Sequence, residues 1–323
     1  MHSPLFDAPG RDVAHDPAIA VSARDLIDMA ASAGVLQPLQ TLAARARRAG
    51  GHVSRVRGRG MDYEESRAYQ AGDDIRAMDW RVTARAGEPH TKVFREERER
   101  PVFLAVDLGS SMFFASRGRL KSVQAARAAA MFGWAAVAQG DRVGALLFNH
   151  SHLELPPRSG RSGILRVIRE LVAHGDADAA LAAPPVADSF NRALLRLRRL
   201  VRPGSLVILI SDLYALDEGS VQHLSYLRRH SDVLALRVLD ALEHVAPPPG
   251  NYGLTDGSTR YEFDATLARD RDGYEARLAA HHAAVEQRLQ RCGVPLLRLG
   301  TADAVGDAIA AQLNALPTRR RVA

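Results

Sequence analysis

Two aspartates stand where strongly apolar runs give way to loops. Asp107 closes the run Val102 to Leu108 in PVFLAVDLGSSM, and Asp212 closes Leu206 to Asp212 in SLVILISDLY. A strand-end aspartate followed two and four residues later by small hydroxyl residues gathers oxygen donors around one point. A hard divalent cation such as Mg2+ takes that kind of shell, with water completing it. Here the second position is Gly109, so Ser111 alone supplies a hydroxyl in register. The plainer alternative is that each aspartate only caps the helix that follows.

Other chemistries lack their residues. Gly109-Ser110-Ser111 is without the flanking glycine of a nucleophile elbow. No second aspartate follows Asp107 two residues on, which disfavours an aspartyl-phosphate phosphatase. A glycine-rich phosphate loop with its lysine is absent, so no nucleotide is expected and the chain is not expected to hydrolyse ATP itself. His150, His152, His281 and His282 are not spaced as a ligand set, and no residue is assigned a catalytic role.

The elements that must position these residues alternate. Apolar strands are expected over Val102 to Leu108, Arg142 to Asn149, Leu206 to Asp212, Val233 to Leu239 and Val294 to Leu299, with Ser151 to Pro156 as a hairpin partner. Helices are expected over Ser22 to Arg48, Leu120 to Ala138, Gly163 to Ala173, Ser189 to Val201, Glu218 to His230, Leu267 to Arg291 and Ala302 to Leu316. Strands alternating with helices imply a mostly parallel sheet with helices on both faces. Continuous apolar runs, in place of period-two alternation, fit strands buried on both sides. In such sheets ligands gather beyond the carboxyl ends of the strands, near the point where strand order reverses. That places Asp107 and Asp212 at one edge.

The division expected is an arm and helix over 1–50, a polar Gly-punctuated segment over 51–100 packed on the main domain, an α/β domain over 101–316 with an inserted hairpin at about 247–264, and a basic tail over 317–323. The 323 residues are 46% hydrophobic and 25% charged, ordinary for a folded protein. A lone cysteine, Cys292, excludes a disulfide-stapled scaffold. The net charge of +6 is modest, and Lys92 and Lys121 are the two lysines among 43 basic residues. The longest apolar run, Ala128 to Ala138, is about half of the ~20 residues that a membrane helix needs. The first residues lack the apolar core of a signal peptide. A soluble, cytoplasmic protein is expected.

The loop Asp107 to Ser111, with the later Asp212, resembles the metal-ion-dependent adhesion site of von Willebrand factor type A domains, over about Pro101 to Leu316. The resemblance implies a Rossmann-like α/β fold and a Mg2+ held by Asp107, Ser111 and Asp212. A third loop falls at Val186 to Ser189, where either Asp188 or Ser189 takes the remaining place. Gly109 departs from the pattern and makes the site degenerate.

A second, denser resemblance covers Gly58 to Glu97. Arg67, Tyr69, Gly72, Asp73, Asp74, Arg76, Asp79, Trp80, Ala84, Arg85, Lys92 and Glu96 are similar to the signature of a bacterial family catalogued as domain of unknown function fifty-eight. In that family the signature directly precedes a von Willebrand A-like domain. Physically it reads as a polar latch: Gly72-Asp73-Asp74 is turn chemistry whose aspartates can accept from nearby backbone N–H groups, Arg67, Arg76 and Arg85 can form two-pronged bonds with Asp73, Asp74 or Asp79, and Trp80 is the apolar anchor. The same residues are the alternative partner-binding surface.

The resemblance implies a non-enzymatic adaptor that works with a MoxR-type AAA+ ATPase in chaperone-like assembly or maturation of an unknown client protein. Two alternatives remain: a metal-dependent hydrolase of phosphate esters at the same site, and a nucleic-acid-binding protein using Arg192, Arg196 and Arg199 on one helical face. Little aromatic interleaving accompanies those arginines, and nucleic acid is not the expected partner.

Overall fold

The structure, a computed structural model, describes residues 16–36, 61–70, 73–96, 100–182, 186, 188–255 and 260–315. The expected arm over 1–15, the helix beyond residue 36 and the basic tail lie outside those residues. The chain divides into two compact units, Gly50–Glu99 and the remainder.

Helix α1 spans Ala23–Ser32 and continues as a 3-10 turn over Ala33–Leu36. Ser22 is its N-cap: Ser22 Oγ accepts from Asp25 N, and the Asp25 carboxylate reaches back to the Ser22 amide in a reciprocal capping box.

The smaller unit pairs strands β1 (Met61–Ala68) and β2 (His90–Glu96) antiparallel. Between them lies the short helix α2 (Trp80–Ala86), started by Asp79 and ended by left-handed Gly87.

The main unit carries a six-stranded sheet. Its strands are β3 (Pro101–Asp107), β4 (Arg142–Phe148), β5 (His152–Arg158), β6 (Leu206–Ser211), β7 (Asp232–Leu239) and, after the small hairpin β8 (Asn251–Thr255) and β9 (Arg260–Asp264), β10 (Leu296–Gly300). The order is β10-β7-β6-β3-β4-β5, and every pairing is parallel except β4 with β5. This is the mostly parallel α/β sheet that the apolar runs imply.

Both faces of the sheet are buried, and alternate residues serve opposite cores. Val102, Leu104 and Val106 of β3 face one core with Ile208 and Ile210 of β6; Phe103 and Ala105 face the other with Val207 and Leu209. Helices α3 (Lys121–Ala138), α4 (Gly160–Ala173) and α9 (Val305–Ala315) cover the first face with α1. The short α5 (Ala177–Ala182) follows α4, and helices α6 (Ser189–Leu200), α7 (Glu218–His230) and α8 (Ala268–Cys292) cover the second face.

Helix α3 is buried along nearly its whole length. Its alanines let neighbours approach closely, and Trp134 fixes α1 by donating from Nε1 to the Leu26 carbonyl at 3.0 Å.

Each sheet margin is finished differently. On β10, the Gln312 side chain accepts from Arg298 N at 2.8 Å and donates to Arg298 O at 2.6 Å. On β5, Pro156 and Pro157 stand in the strand itself.

The β10–α9 loop is clasped to the segment before α3. Arg119 N donates to Thr301 O at 3.0 Å, and Gln124 Nε2 reaches the carbonyls of Gly300, Thr301 and Asp303 at 2.9, 3.2 and 3.0 Å. Gly118 sits at φ +75°, and a Cβ there would run into the Thr301 carbonyl oxygen. Gly118→Ala therefore combines left-handed strain with a backbone clash. It should destabilise the fold by about 2 kcal/mol, read as a lowered urea midpoint; an unchanged midpoint would show that the clasp yields freely.

Candidate functional site

Strand order reverses at β3, which runs on to β4 on one side and later receives β6 on the other. A crevice of about 240 Å³ opens beyond the carboxyl ends of these strands. Asp107, Ser111, Asp212 and Ser189 all line it, as do Ser110, Asn149, His150 and Tyr214. Asp188 does not. It stands at φ +60°, exposed, with Oδ1 accepting from Asn191 Nδ2 at 2.7 Å. Of the two third-loop alternatives, Ser189 is the one that reaches the crevice.

The two aspartates differ in surroundings. Asp107 is half-buried; its Oδ1 accepts from Gly109 N at 2.9 Å and its Oδ2 from Ser211 Oγ at 2.7 Å. Burial, and then the Asp212 charge, push its carboxyl from the ordinary 3.8 up to about 7, against those two hydrogen bonds. Asp212 is buried, and its Oδ1 accepts from Tyr214 N at 3.0 Å. Its Oδ2 accepts from Lys121 Nζ at 2.9 Å. Burial opposes its charge, but Lys121, the Tyr214 amide and the Ser111 hydroxyl together hold it below the usual carboxylate range.

Lys121 is the residue that the sequence reading passed over. It opens helix α3, and its ammonium lies between Asp212 Oδ2 and Glu243 Oε1, the latter at 2.6 Å. The Lys121 side chain is 2% exposed, Asp212 3% and Glu243 17%. Burial pulls against the Lys121 charge, and the two carboxylates more than restore it, leaving its pKa above the ordinary lysine value. Arg237, 1% exposed, braces the same point by donating from Nε to the Asp212 carbonyl at 2.9 Å. Glu243 is held from outside by His282, which donates from Nε2 to its carbonyl at 2.6 Å. Leu213, between Asp212 and Tyr214, sits at φ +58°, a left-handed conformation that a branched residue adopts only under constraint.

One signal for Lys121 was available: it is one of two lysines in a chain that uses arginine almost everywhere else. Glu243 and Arg237 carried none, because only the fold brings them to Asp212.

These donors do not make a divalent-cation shell. Asp212 Oδ2 is committed to an ammonium, both Asp107 oxygens turn to internal donors, Gly109 offers no hydroxyl and Asp188 faces away. Among the described residues no three His, Cys, Asp or Glu side chains are placed to hold a metal. The Mg2+ expected from the resemblance therefore does not fit the residues present.

In the smaller unit the latch forms in part. Arg67 grips Asp73 with two prongs, Nη1 to Oδ2 at 2.9 Å and Nη2 to Oδ1 at 2.8 Å. Tyr69 donates to the Asp73 carbonyl at 3.3 Å, and Asp74 caps Arg76 N at 2.9 Å. Asp79 accepts from Ser66 Oγ at 2.7 Å and from the Arg81 and Val82 amides, both at 3.2 Å. Arg76 and Arg85 are exposed and make no two-pronged pair among the described residues. Trp80 is 66% exposed, so the expected apolar anchor is corrected: at the first position of a short helix its indole points to solvent. On α6, Arg192, Arg196 and Arg199 lie on the exposed side, and Arg196 pairs with Glu154 at 2.7 Å.

Residues 65–284 match the family described as "Protein of unknown function DUF58", and the chain belongs to that family. Uncharacterized proteins of Mycobacterium bovis and Mycobacterium tuberculosis are each 33% identical over 261 residues, covering 78% of this chain and 78% of the relative. Among solved structures, BatB from Bacteroides thetaiotaomicron is 17% identical with a TM-score of 0.43, covering 67% of this chain and 98% of that one. An aerotolerance-related membrane protein from Bacteroides fragilis is 14% identical with the same TM-score, covering 67% and 100%. Neighbours described as membrane proteins stand against the cytoplasmic placement expected from the sequence, and that placement is withdrawn. It rested on the lone cysteine and on the lack of an apolar span, neither of which fixes a compartment. Among the described residues no helix is long and apolar enough to cross a membrane.

Two outcomes follow from the charge pattern. Lys121→Met leaves the Asp212 and Glu243 carboxylates without their counter-ion and should cost about 3–5 kcal/mol of stability in urea unfolding. Adding Asp212→Asn should recover part of the loss, and a neutral single substitution would overturn the account. For Asp107, a raised folded-state pKa means that protonation favours the fold. Its contribution is complete below the unfolded value near 3.8 and is lost as pH rises through about 7. The stability of wild type relative to Asp107→Asn should thus decline between pH 4 and pH 8 and then level off. A difference that does not vary with pH would contradict the assignment.

Proposed function

We propose that this chain is a non-enzymatic interaction protein, an adaptor that works with a MoxR-type AAA+ ATPase in chaperone-like assembly or maturation of a client protein. The observation that carries the reading is the contrast between the floor and the rim of the crevice. Asp212 closes the floor and the groups behind it are satisfied: Lys121, Asp212 and Glu243 are engaged with one another, and Ser211 with Asp107. The rim is open, with Ser110 and Ser111 exposed and Tyr214 59% exposed.

Hydrolysis asks for the reverse, a nucleophile or activated water beside a free base. His150 lines the wall, yet among the described residues no hydrogen bond joins it to Ser110 or Ser111. The phosphoesterase alternative also loses its metal, since the donors do not assemble a shell. The ATPase part of the reading is supported by the family resemblance and by the lack of a phosphate-binding loop in this sequence, so that the energy would come from the partner.

Exposed tyrosines at the mouth of a pocket are frequent hot spots of protein recognition. Tyr214→Ala, an exposed position, should leave the fold intact and weaken binding of the purified ATPase about tenfold, or 1.4 kcal/mol, by surface plasmon resonance. Unchanged affinity for Tyr214→Ala and for the bulkier Ser110→Arg would move the contact to the Arg67 to Arg85 segment. No binding of the ATPase by wild type would sink the adaptor reading.

A further inference from the structure

We infer that Lys121 is a tethered cation that neutralises the Asp212 carboxylate from behind the crevice, in the stead of a divalent ion within it, so that the site is built to work without metal. The inference stands apart from the ATPase partnership, because it concerns only what holds the floor together.

The geometry of three groups carries it. The Lys121 side chain, at the first residue of α3, lies behind the crevice lining, with its ammonium 2.9 Å from Oδ2 of the lining residue Asp212 and 2.6 Å from Glu243 Oε1. Those are contact distances of a charge-assisted hydrogen bond, and they put a full positive charge on the carboxylate that closes β6. A divalent ion beside it would meet that charge at short range in a poorly solvated site, where repulsion is strong. An arginine would not serve, since its flat fork spreads the charge that an ammonium concentrates at one point.

Gly109 supports the same conclusion independently. A Cβ at this position would lie 3.1 Å from Asp107 Oδ1. The Asp107 carboxylate turns inward onto the Gly109 amide and Ser211, and a side chain at 109 would ask it to give by a few tenths of an ångström. The missing hydroxyl at 109, the inward Asp107 carboxylate and the Lys121 ammonium on Asp212 all leave fewer donors for a metal. A ligand entering the crevice meets carboxylate and hydroxyl groups, with no Lewis acid among them.

The test is thermal unfolding of the full chain in millimolar Mg2+ and in EDTA. Wild type should show the same midpoint in both. A rise of several degrees in Mg2+ would reveal a metal bound by the folded state and overturn the inference. Lys121→Ala opens the slot between Asp212 and Glu243; it should melt lower than wild type and regain part of the loss with Mg2+ or with methylammonium. Where that variant does not fold, Lys121→Ala with Glu243→Gln removes one unpaired carboxylate and carries the same comparison. A folded variant indifferent to both cations would show that the slot is not a cation site, and would equally overturn the inference.

Discussion

The main unit depends on one buried charge arrangement, the Lys121 ammonium between the carboxylates of Asp212 and Glu243. The three residues come from the start of α3, the end of β6 and the turn after β7. Taking such charges out of water is expensive, and mutual attraction compensates only where the geometry is close and the remaining polar atoms are engaged. The geometry is close and most polar atoms are engaged: Tyr214 N and Ser111 serve Asp212, Arg237 holds its backbone carbonyl, and His282 steadies the Glu243 turn, while Arg237 Nη2 and His282 Nδ1 are buried without a hydrogen-bond partner. The arrangement fixes where the β6 loop leaves the sheet, and with it the position of Tyr214 and the width of the crevice.

The sheet was legible in the sequence because its physics is local. Runs such as FLAV and LVILI have few ways to bury both sides of a strand other than in a covered parallel sheet, and the strands lie within a residue or two of their expected bounds. The fusion of Asp107, Asp212, Ser111 and Ser189 into one crevice followed from the strand ends and a helix start. What stayed hidden was long-range. Lys121 and Asp212 are 91 residues apart and Lys121 and Glu243 are 122 apart, so no window of sequence holds the pair. The expected metal shell took in the carboxylates without the ammonium that pairs with Asp212 and Glu243.

The smaller unit illustrates a different limit. Its polar residues were recognisable as turn and latch chemistry, and Arg67 with Asp73 forms the two-pronged pair that such chemistry favours. Trp80 was misjudged because an aromatic side chain in a polar segment is ordinarily an anchor, whereas here it begins a seven-residue helix and is exposed. Composition distinguishes a residue that could be buried from one that is, only when enough apolar neighbours are present to bury it.

The finish of the sheet margins bears on how this chain can associate. An open strand offers a ladder of N–H and C=O groups on which another chain can build, by design or by aggregation. Gln312 fills that ladder on β10 as a side-chain imitation of a further strand, and Pro156 and Pro157 interrupt it on β5. Strand addition is thus opposed at Arg298 on β10 and over the second half of β5. Where the ladder is interrupted in this way, contacts through side chains on loops and helices are favoured over pairing of backbones, and each can be made and broken one residue at a time.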